Sequence, residues 1–511
     1  MSRTKPLAKP FRQSMAWLHT WSGLVVGWVL FAIFVTGTAS YYQPEISCWM
    51  RPELTETSAD PAEAMTRAGA FLRKTMPDAL GWSVRLPTAE NPTQEVYWWQ
   101  HPEGPYHKAL LDPATGEPAE VRDTRGGAFL YRFHFELSLP PMVGRWIVSA
   151  CAMILLIALI SGIVTHRRIF VDFFTFRRDR TAQRGWLDAH NVAGVLALPF
   201  HLMIVYSGLV TLSSMLMPWG IKTSYGDAAL QYYAEAGIMT SGRVPEGRPG
   251  TLLPLGEILT RARAAAGEWP EVLMVSQPGD AGATVTAYFE EPPGLAHLHP
   301  QIAYAADTGV EIGRVGDAGW ATRTGAVMVG LHEAHFAAAP LRLLFFLCGV
   351  LGAATVASGL ILWTVARAPK GADPAGFGLR LVRILNLGTI AGLPVGLAAY
   401  FLANRLLPVG LDGRADWEVR CFFAAWILAA VASALYPRAK AWTAALAIAA
   451  LAFLAIPVVD VVTIGQPRFF GFDAAMALLG GILGLAARLV ARRRVDAPHR
   501  TARVLHTTVE A

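Results

Sequence analysis

Cysteine is scarce in this 511-residue chain: Cys48, Cys151, Cys348 and Cys421 are the whole set, and no two form a C-x-x-C pair. Only Cys48 falls in a segment expected outside a membrane, so no intradomain disulfide framework is implied. Iron–sulfur ligation, which needs several cysteines at close spacing, is disfavoured. Charge is also sparse, at 16% of residues, and no basic soluble face of the kind that nucleic acid requires is present. There is no G-x-G-x-x-G after a strand, no P-loop and no G-x-S-x-G, which removes the usual dinucleotide, nucleotide and serine-hydrolase readings.

Long apolar runs fill the space that charge leaves. Hydrophobic residues make up 53% of the chain, and eight runs, about 17–42, 141–165, 188–216, 340–365, 382–407, 418–436, 441–463 and 473–490, are candidates to cross a bilayer. Lys/Arg bias sets their direction. Arg3, Lys5, Lys9 and Arg12, then Arg167, Arg168, Arg177, Arg178, Arg180 and Arg184, then Arg492, Arg493, Arg494, Arg500 and Arg503 all fall on one side of an eight-span chain. Both termini are therefore expected in the cytoplasm, and the net charge of +6 is mostly a topology signal. The first run is too long for a signal-peptide core and no clear A-x-A site follows, so it reads as an uncleaved anchor; cleavage would remove His19.

These signals divide the chain into an N-terminus with the first span (1–42), an external segment (43–140), two spans joined by a basic loop (141–216), a second external segment (217–339), a fourth span (340–368), a four-span extension (369–491) and a basic tail (492–511). The chain also repeats itself weakly. His19-Thr-Trp-Ser-Gly23 aligns with His190-Asn-Val-Ala-Gly194, and Thr36-Gly37 with Ser207-Gly208, at a constant offset of 171. Arg145, Cys151 and Ser161-Gly162 align with Arg342, Cys348 and Ser358-Gly359 at an offset of 197, and His134 falls within one residue of His332. Each external segment has an amphipathic helix pattern (61–76 and 254–267), aromatic-rich strands such as Val96–Trp99 and Val285–Phe289, and an Asp/Thr/Gly turn, Asp112–Gly116 or Asp307–Gly309. The expected fold is a membrane all-α helical bundle of about eight transmembrane helices carrying two external α+β modules.

Histidines stand at the edges of these runs. Ionisable residues are costly in lipid and tend to mark function there, and histidine is a common axial ligand of haem iron. His190 and His201, eleven residues or about three turns apart on the third run, are expected to share a helix face and to lie about 16 Å apart along its axis at 1.5 Å per residue. That spacing suits one ligand for each of two haems, although two polar groups bonding between helices would look the same. His19, the repeat equivalent of His190, is the first choice for its partner; His166 is an alternative, or an interfacial residue beside Arg167 and Arg168. For His201 the candidates are His134, His332 and His335. His332 and His335 are expected to face one way, with Glu333 turned away, which disfavours a metal site made of those three. Arg145 and Arg342 are candidates for haem propionates or for interfacial anchoring. Gly23 and Gly194, one turn from a histidine, are expected to clear space for a porphyrin. Without C-x-x-C-H the haems would be b-type, held non-covalently. His297-Leu-His299 reads as a weak metal pair or a solvated loop.

The run Trp17-Leu-His19-Thr-Trp-Ser-Gly23, followed by Thr36-Gly37, Phe133-His134-Phe135, Gly144-Arg145-Trp146 and Ser161-Gly162, resembles the PepSY-associated transmembrane proteins. The Asp112-x-x-Thr-Gly-Glu117 turn is similar to one in a PepSY module, and the resemblance covers about residues 1–368. It implies an iron-regulated bacterial inner-membrane protein with two periplasmic PepSY-like modules. Some members are ferric-siderophore reductases with paired haems, and the matching positions are His19, His134, His190, His201 and the His332/His335 pair. Four extra spans and the lack of a fused flavodoxin- or NADPH-reductase-like domain leave the electron donor open between a quinol and a cytoplasmic reductase. The reading is a membrane di-haem b oxidoreductase that reduces a ferric siderophore or another Fe(III) chelate, with lipid as its other partner and no nucleic acid. Two readings from other classes stand beside it: an iron or siderophore transporter built from repeats, and a non-enzymatic protein that binds partners through its PepSY-like modules.

Overall fold

The computed structural model describes residues 10–54, 59–88, 91–101, 106–165, 181–316, 318–368, 376–436 and 438–495. Seven helices among them are long and apolar enough to cross a membrane: Phe11–Ser40, Pro141–Thr165, Ala339–Ala366, Phe377–Leu406, Arg414–Leu435, Lys440–Ile464 and Phe470–Arg492. A bent pair, Ala182–Leu196 with Leu198–Thr211, makes an eighth. Numbered in chain order they are spans one to eight, the bent pair being the third. His166, the basic loop as far as Arg180, and residues 1–9 and 496–511 lie outside the described residues.

The third span departs from the sequence reading. Its two halves meet at 66° around Ala197, so His190 and His201 do not share the face of one straight helix. Pro199 supplies a reason: it has no N–H to give, and its ring crowds the carbonyl four residues back.

The chain forms two compact units. The first holds residues 1–52, 122–206 and 339–511, and its described residues are largely helical. The first span packs against the second and the fourth, and the fourth packs against Ala182–Leu196. Small residues let these helices approach, as they do in lipid, where apolar burial alone gives no drive to associate. Gly27 faces Leu360 and Gly352 faces Phe34, with no room for a side chain at either glycine.

The second unit holds residues 53–121 and 207–338. Its strands are β1 (Gly81–Arg85), β2 (Gln94–Trp99), β3 (His107–Leu111), β4 (Val272–Ser276), β5 (Thr284–Tyr288), β6 (Gln301–Ala305) and β7 (Glu311–Val315). They form one antiparallel sheet in the order β3-β2-β1-β4-β5-β6-β7. The two α+β segments of the sequence are therefore continuous, because β1 pairs with β4 from Gly81↔Ser276 to Arg85↔Val272. Alternation explains the core: Trp82, Val84, Val96, Leu273, Val275 and Val285 point to one face and are almost fully buried.

Helices Pro61–Thr75 and Leu255–Ala266 pack on each other and share that core. The first starts at Asp60, whose carboxylate accepts from the backbone N–H groups of Ala62 and Glu63, both at 3.0 Å, with Pro61 in the first turn. The second stops at Gly267, which takes the left-handed conformation (φ +86°) that a helix C-terminus favours in glycine. The turns at Gly116 and Gly309 likewise have positive φ, +75° and +65°.

Candidate functional site

Inside the helical unit, the first four spans enclose a cavity of about 400 Å³, within the range typical of ligand pockets. His19 and His190 face into it with ring centroids 6.1 Å apart and planes at 61°. Each imidazole is fixed from behind: Nδ1 of His19 lies 2.8 Å from the Ala158 carbonyl, and Nδ1 of His190 lies 2.9 Å from the Thr355 carbonyl. A carbonyl only accepts, so Nδ1 carries the proton and Nε2 carries the lone pair, which is the usual arrangement of a metal-ligating histidine. Two imidazoles on opposite sides of one metal, each about 2 Å from it, have centroids roughly 6 Å apart.

The sockets behind these rings explain the repeat in the sequence. His19 packs on Gly162, where a Cβ would come within 3.1 Å of the ring, and His190 packs on Gly359 at 3.2 Å. Each glycine lies four residues, about one helical turn, after the anchoring carbonyl. His134 repeats the device in the same unit: its Nδ1 lies 2.9 Å from the Ile33 carbonyl, and its ring covers Gly37, four residues further on. Burial pushes the His134 imidazole below its usual pKa, which favours the neutral form that ligates metal. Within the second unit, His332 covers Gly208 and its Nδ1 lies 3.3 Å from the Ser207 hydroxyl. The Ser/Thr-Gly pairs that align the repeats are thus seats for histidine rings.

The lining would suit a flat macrocycle such as haem, with His19 and His190 as the residues that would hold its metal. Gly23 and Gly194 line the cavity; a Cβ on Gly23 would meet nothing within 4 Å, and one on Gly194 only Thr355, at 3.5 Å. Trp363 also lines it, and its buried indole N–H has no hydrogen-bond partner. The Arg367 guanidinium, a further lining residue, lies over the Trp363 ring at 4.2 Å. A donor without a partner beside a cation suits a carboxylate such as a haem propionate. Sequence reasoning did not single out Trp363 or Arg367, although an aromatic and a cation at the end of the fourth span were legible as an interfacial pair.

Gly23→Phe is expected to project a ring into the cavity, since Gly23 lines it and a Cβ there meets nothing within 4 Å. The expected result is loss of haem binding there in a protein that still folds and inserts, as judged by detergent-solubilised yield; retention of haem at the wild-type level would contradict the fit.

The remaining candidates are placed differently. His201 is 2% exposed, and its Nε2 lies 3.3 Å from the Cys348 carbonyl, so it presents Nδ1 as its ligand atom. Arg145 is bound to Glu136 at 2.7 Å, and Arg342 to Glu45. Each arginine keeps a buried Nε with no hydrogen-bond partner. Contrary to the expectation from spacing, His335 does not share a face with His332: helix Trp320–Glu333 ends at Ala334, whose φ of +59° turns the chain off the helix. Nor does Glu333 turn away from both histidines, since its carboxylate meets Nε2 of His335 at 2.8 Å. That hydrogen bond holds the His335 imidazole above its ordinary pKa.

The last four spans carry chemistry that the sequence reading passed over. Arg405 bonds Asp460 at 2.6 Å with both side chains buried, and its guanidinium lies 3.7 Å from the Trp49 ring centroid. Arg414 bonds Glu418 at 2.5 Å, both fully buried. Glu418 also accepts from Thr124 at 2.5 Å and from Asn404 at 2.7 Å. Arg414 further donates to the Asp123 carbonyl at 3.0 Å. The signal was available: a charge pair at i,i+4 and lone charges at 405 and 460 inside apolar runs are costly unless paired.

Together these features define a multi-pass membrane protein with a histidine-lined cavity between its spans. Residues 16–366 match the PepSY-associated TM region family, and the chain belongs to it. It is also similar to an uncharacterized protein of Pseudomonas aeruginosa, 29% identical over 382 residues, which cover 70% of this chain and 93% of the relative.

Proposed function

We propose that this protein is a haem-dependent oxidoreductase of the bacterial inner membrane that reduces a ferric siderophore, or another Fe(III) chelate, on the periplasmic side. The observation that carries the reading is the His19–His190 pair: two rings 6.1 Å apart, each anchored through Nδ1 to a backbone carbonyl, in one cavity. Haem, when bound, supplies a one-electron carrier; the protein supplies its ligands, their orientation and a dry setting. His19 and His190 would hold the iron, Gly23 and Gly194 would admit the ring, and Arg367 with Trp363 would receive a propionate. For a second haem b, His134 and His201 of the helical unit would be the ligand candidates. The net reaction takes one electron from a quinol or a cytoplasmic reductase and converts Fe(III) to Fe(II), which the chelate holds less tightly.

Both termini are assigned to the cytoplasm by the Lys/Arg distribution, and the two PepSY-like modules that share the seven-stranded sheet to the periplasm. In the test, dithionite-reduced protein is mixed with a ferric siderophore and an Fe(II) trap such as ferrozine. Rapid reoxidation with trapping of Fe(II) is expected, slowed more by His134→Ala than by His19→Ala when electrons are supplied chemically. Reduced protein that ignores every ferric chelate but reoxidises rapidly with a quinone would overturn the assignment.

A further inference from the structure

Away from the cavity, the second unit gathers three histidines and two carboxylates: Glu291, His297, His299, Glu333 and His335. The ligand atoms of Glu291, His297 and His299 all lie within 4.8 Å of one another. His299 donates its Nδ1–H to the Phe289 carbonyl at 3.0 Å. In the neutral ring its Nε2 is then a lone pair, and that lone pair faces Oε1 of Glu291 at 3.3 Å. The same carboxylate oxygen faces Nδ1 of His297. Both of these atoms are buried, and each has the other as its nearest polar contact. Two imidazole nitrogens and one carboxylate oxygen, each able to ligate a metal, therefore gather at one point.

We propose that Glu291, His297 and His299 form a binding site for a divalent first-row transition-metal ion. Two imidazoles and one carboxylate suit Fe(II) and Zn(II) and leave coordination positions open for water or an incoming ligand. Ligand atoms around a tetrahedral ion are about 3.4 Å apart when the bonds are near 2.1 Å, so the Glu291 and His297 side chains would part slightly to admit the ion. The surroundings hold the ligands in place. The backbone N–H of His297 bonds the Ala326 carbonyl at 3.0 Å, which lays this strap on helix Trp320–Glu333. Gly330 on that helix meets the Leu295 carbonyl where no side chain would fit. The His335 ring stacks on His297, centroids 5.1 Å apart and planes at 15°, with its Nε2 on Glu333. His335 and Glu333 thus brace the His297 ligand from its open side. The His297-x-His299 spacing supplies two of the ligands locally, but the third comes from Glu291, six residues before His297, which no pairwise motif flags.

The test uses full-length, haem-supplemented protein in detergent, titrated with Co²⁺ and then with Zn²⁺ as competitor. About one equivalent of Co²⁺ is expected to bind with visible d–d bands typical of low-coordinate nitrogen and oxygen ligation, and Zn²⁺ is expected to displace it. His297→Ala is expected to weaken binding at least about tenfold, and the isosteric Glu291→Gln similarly, while the haem spectrum stays as in the wild type. The same binding is expected in a His19→Ala/His190→Ala variant, so the result is independent of the haem assignment. No bound Co²⁺, or binding that is equal in the wild type and in Glu291→Gln, would overturn the site.

Discussion

His190→Ala is expected to remove one haem and spare the other. The Nδ1 of His190 is held by the Thr355 carbonyl and its ring rests on Gly359, so no other side chain can take over its position without rebuilding the fourth span. A methyl group there leaves His19 with no opposing imidazole across the cavity. Haem content should fall by about half, because the loss of an axial imidazole both weakens binding and changes the ligand field of any haem retained. His19→Ala should match it, since the two rings act as one site, and the double variant should lose little more than either single one. The check is a pyridine haemochrome assay on protein expressed with added haem, alongside low-temperature spectra that resolve the two signals. The paired-ligand account fails if either single variant keeps both signals intact.

Arg414→Ala is expected to be the most damaging change in the four-span extension. The guanidinium is fully buried, bonded to Glu418 at 2.5 Å, and also holds the Asp123 and Asn404 carbonyls at 3.0 and 2.5 Å. Removing it strands the Glu418 carboxylate, itself completely buried, without its charge partner. Breaking one side of a buried ion pair typically costs about 3–5 kcal/mol. The double variant Arg414→Met/Glu418→Met removes the stranded charge as well and is expected to recover much of the loss. Thermal unfolding in detergent, followed by tryptophan fluorescence, measures both. A single variant as stable as the wild type would show that this network does not tie the extension to residues 122–126. The role assigned to the sixth span is therefore to anchor that segment, which leads directly into the His134 helix at Ala128–Glu136.

Local regularities were legible in the sequence. The spans, the two amphipathic helices, the strands around Val96 and Val285, and the turns at Gly116 and Gly309 are all set by short-range periodicity or by a backbone conformation that glycine favours. The pairing of His19 with His190 was reachable from the repeat. What was not legible depends on residues far apart in the chain. The β1–β4 seam joins segments nearly 190 residues apart, and nothing in either strand names its partner. The bend at Ala197 was signalled by Pro199, but helical spacing was carried straight through it. The turn at Ala334, which separates His335 from His332, has no glycine to announce its positive φ. Glu291 was invisible as a ligand because its partners are set by the strap after it rather than by spacing along one element. The ion pairs of the last spans were visible as isolated charges, but only the fold shows Arg405 meeting Asp460, 55 residues later.

The central claim is that the His19–His190 cavity is a haem site. The visible absorption spectrum of purified, haem-supplemented protein tests it most directly, read before and after dithionite and quantified per chain. The account expects sharp reduced α-bands of bis-imidazole haem b, at about two haems per chain in the wild type, with the signal of one haem lost in His19→Ala and in His190→Ala. Less than about one haem per chain in the wild type, or a spectrum untouched by either substitution, would contradict it.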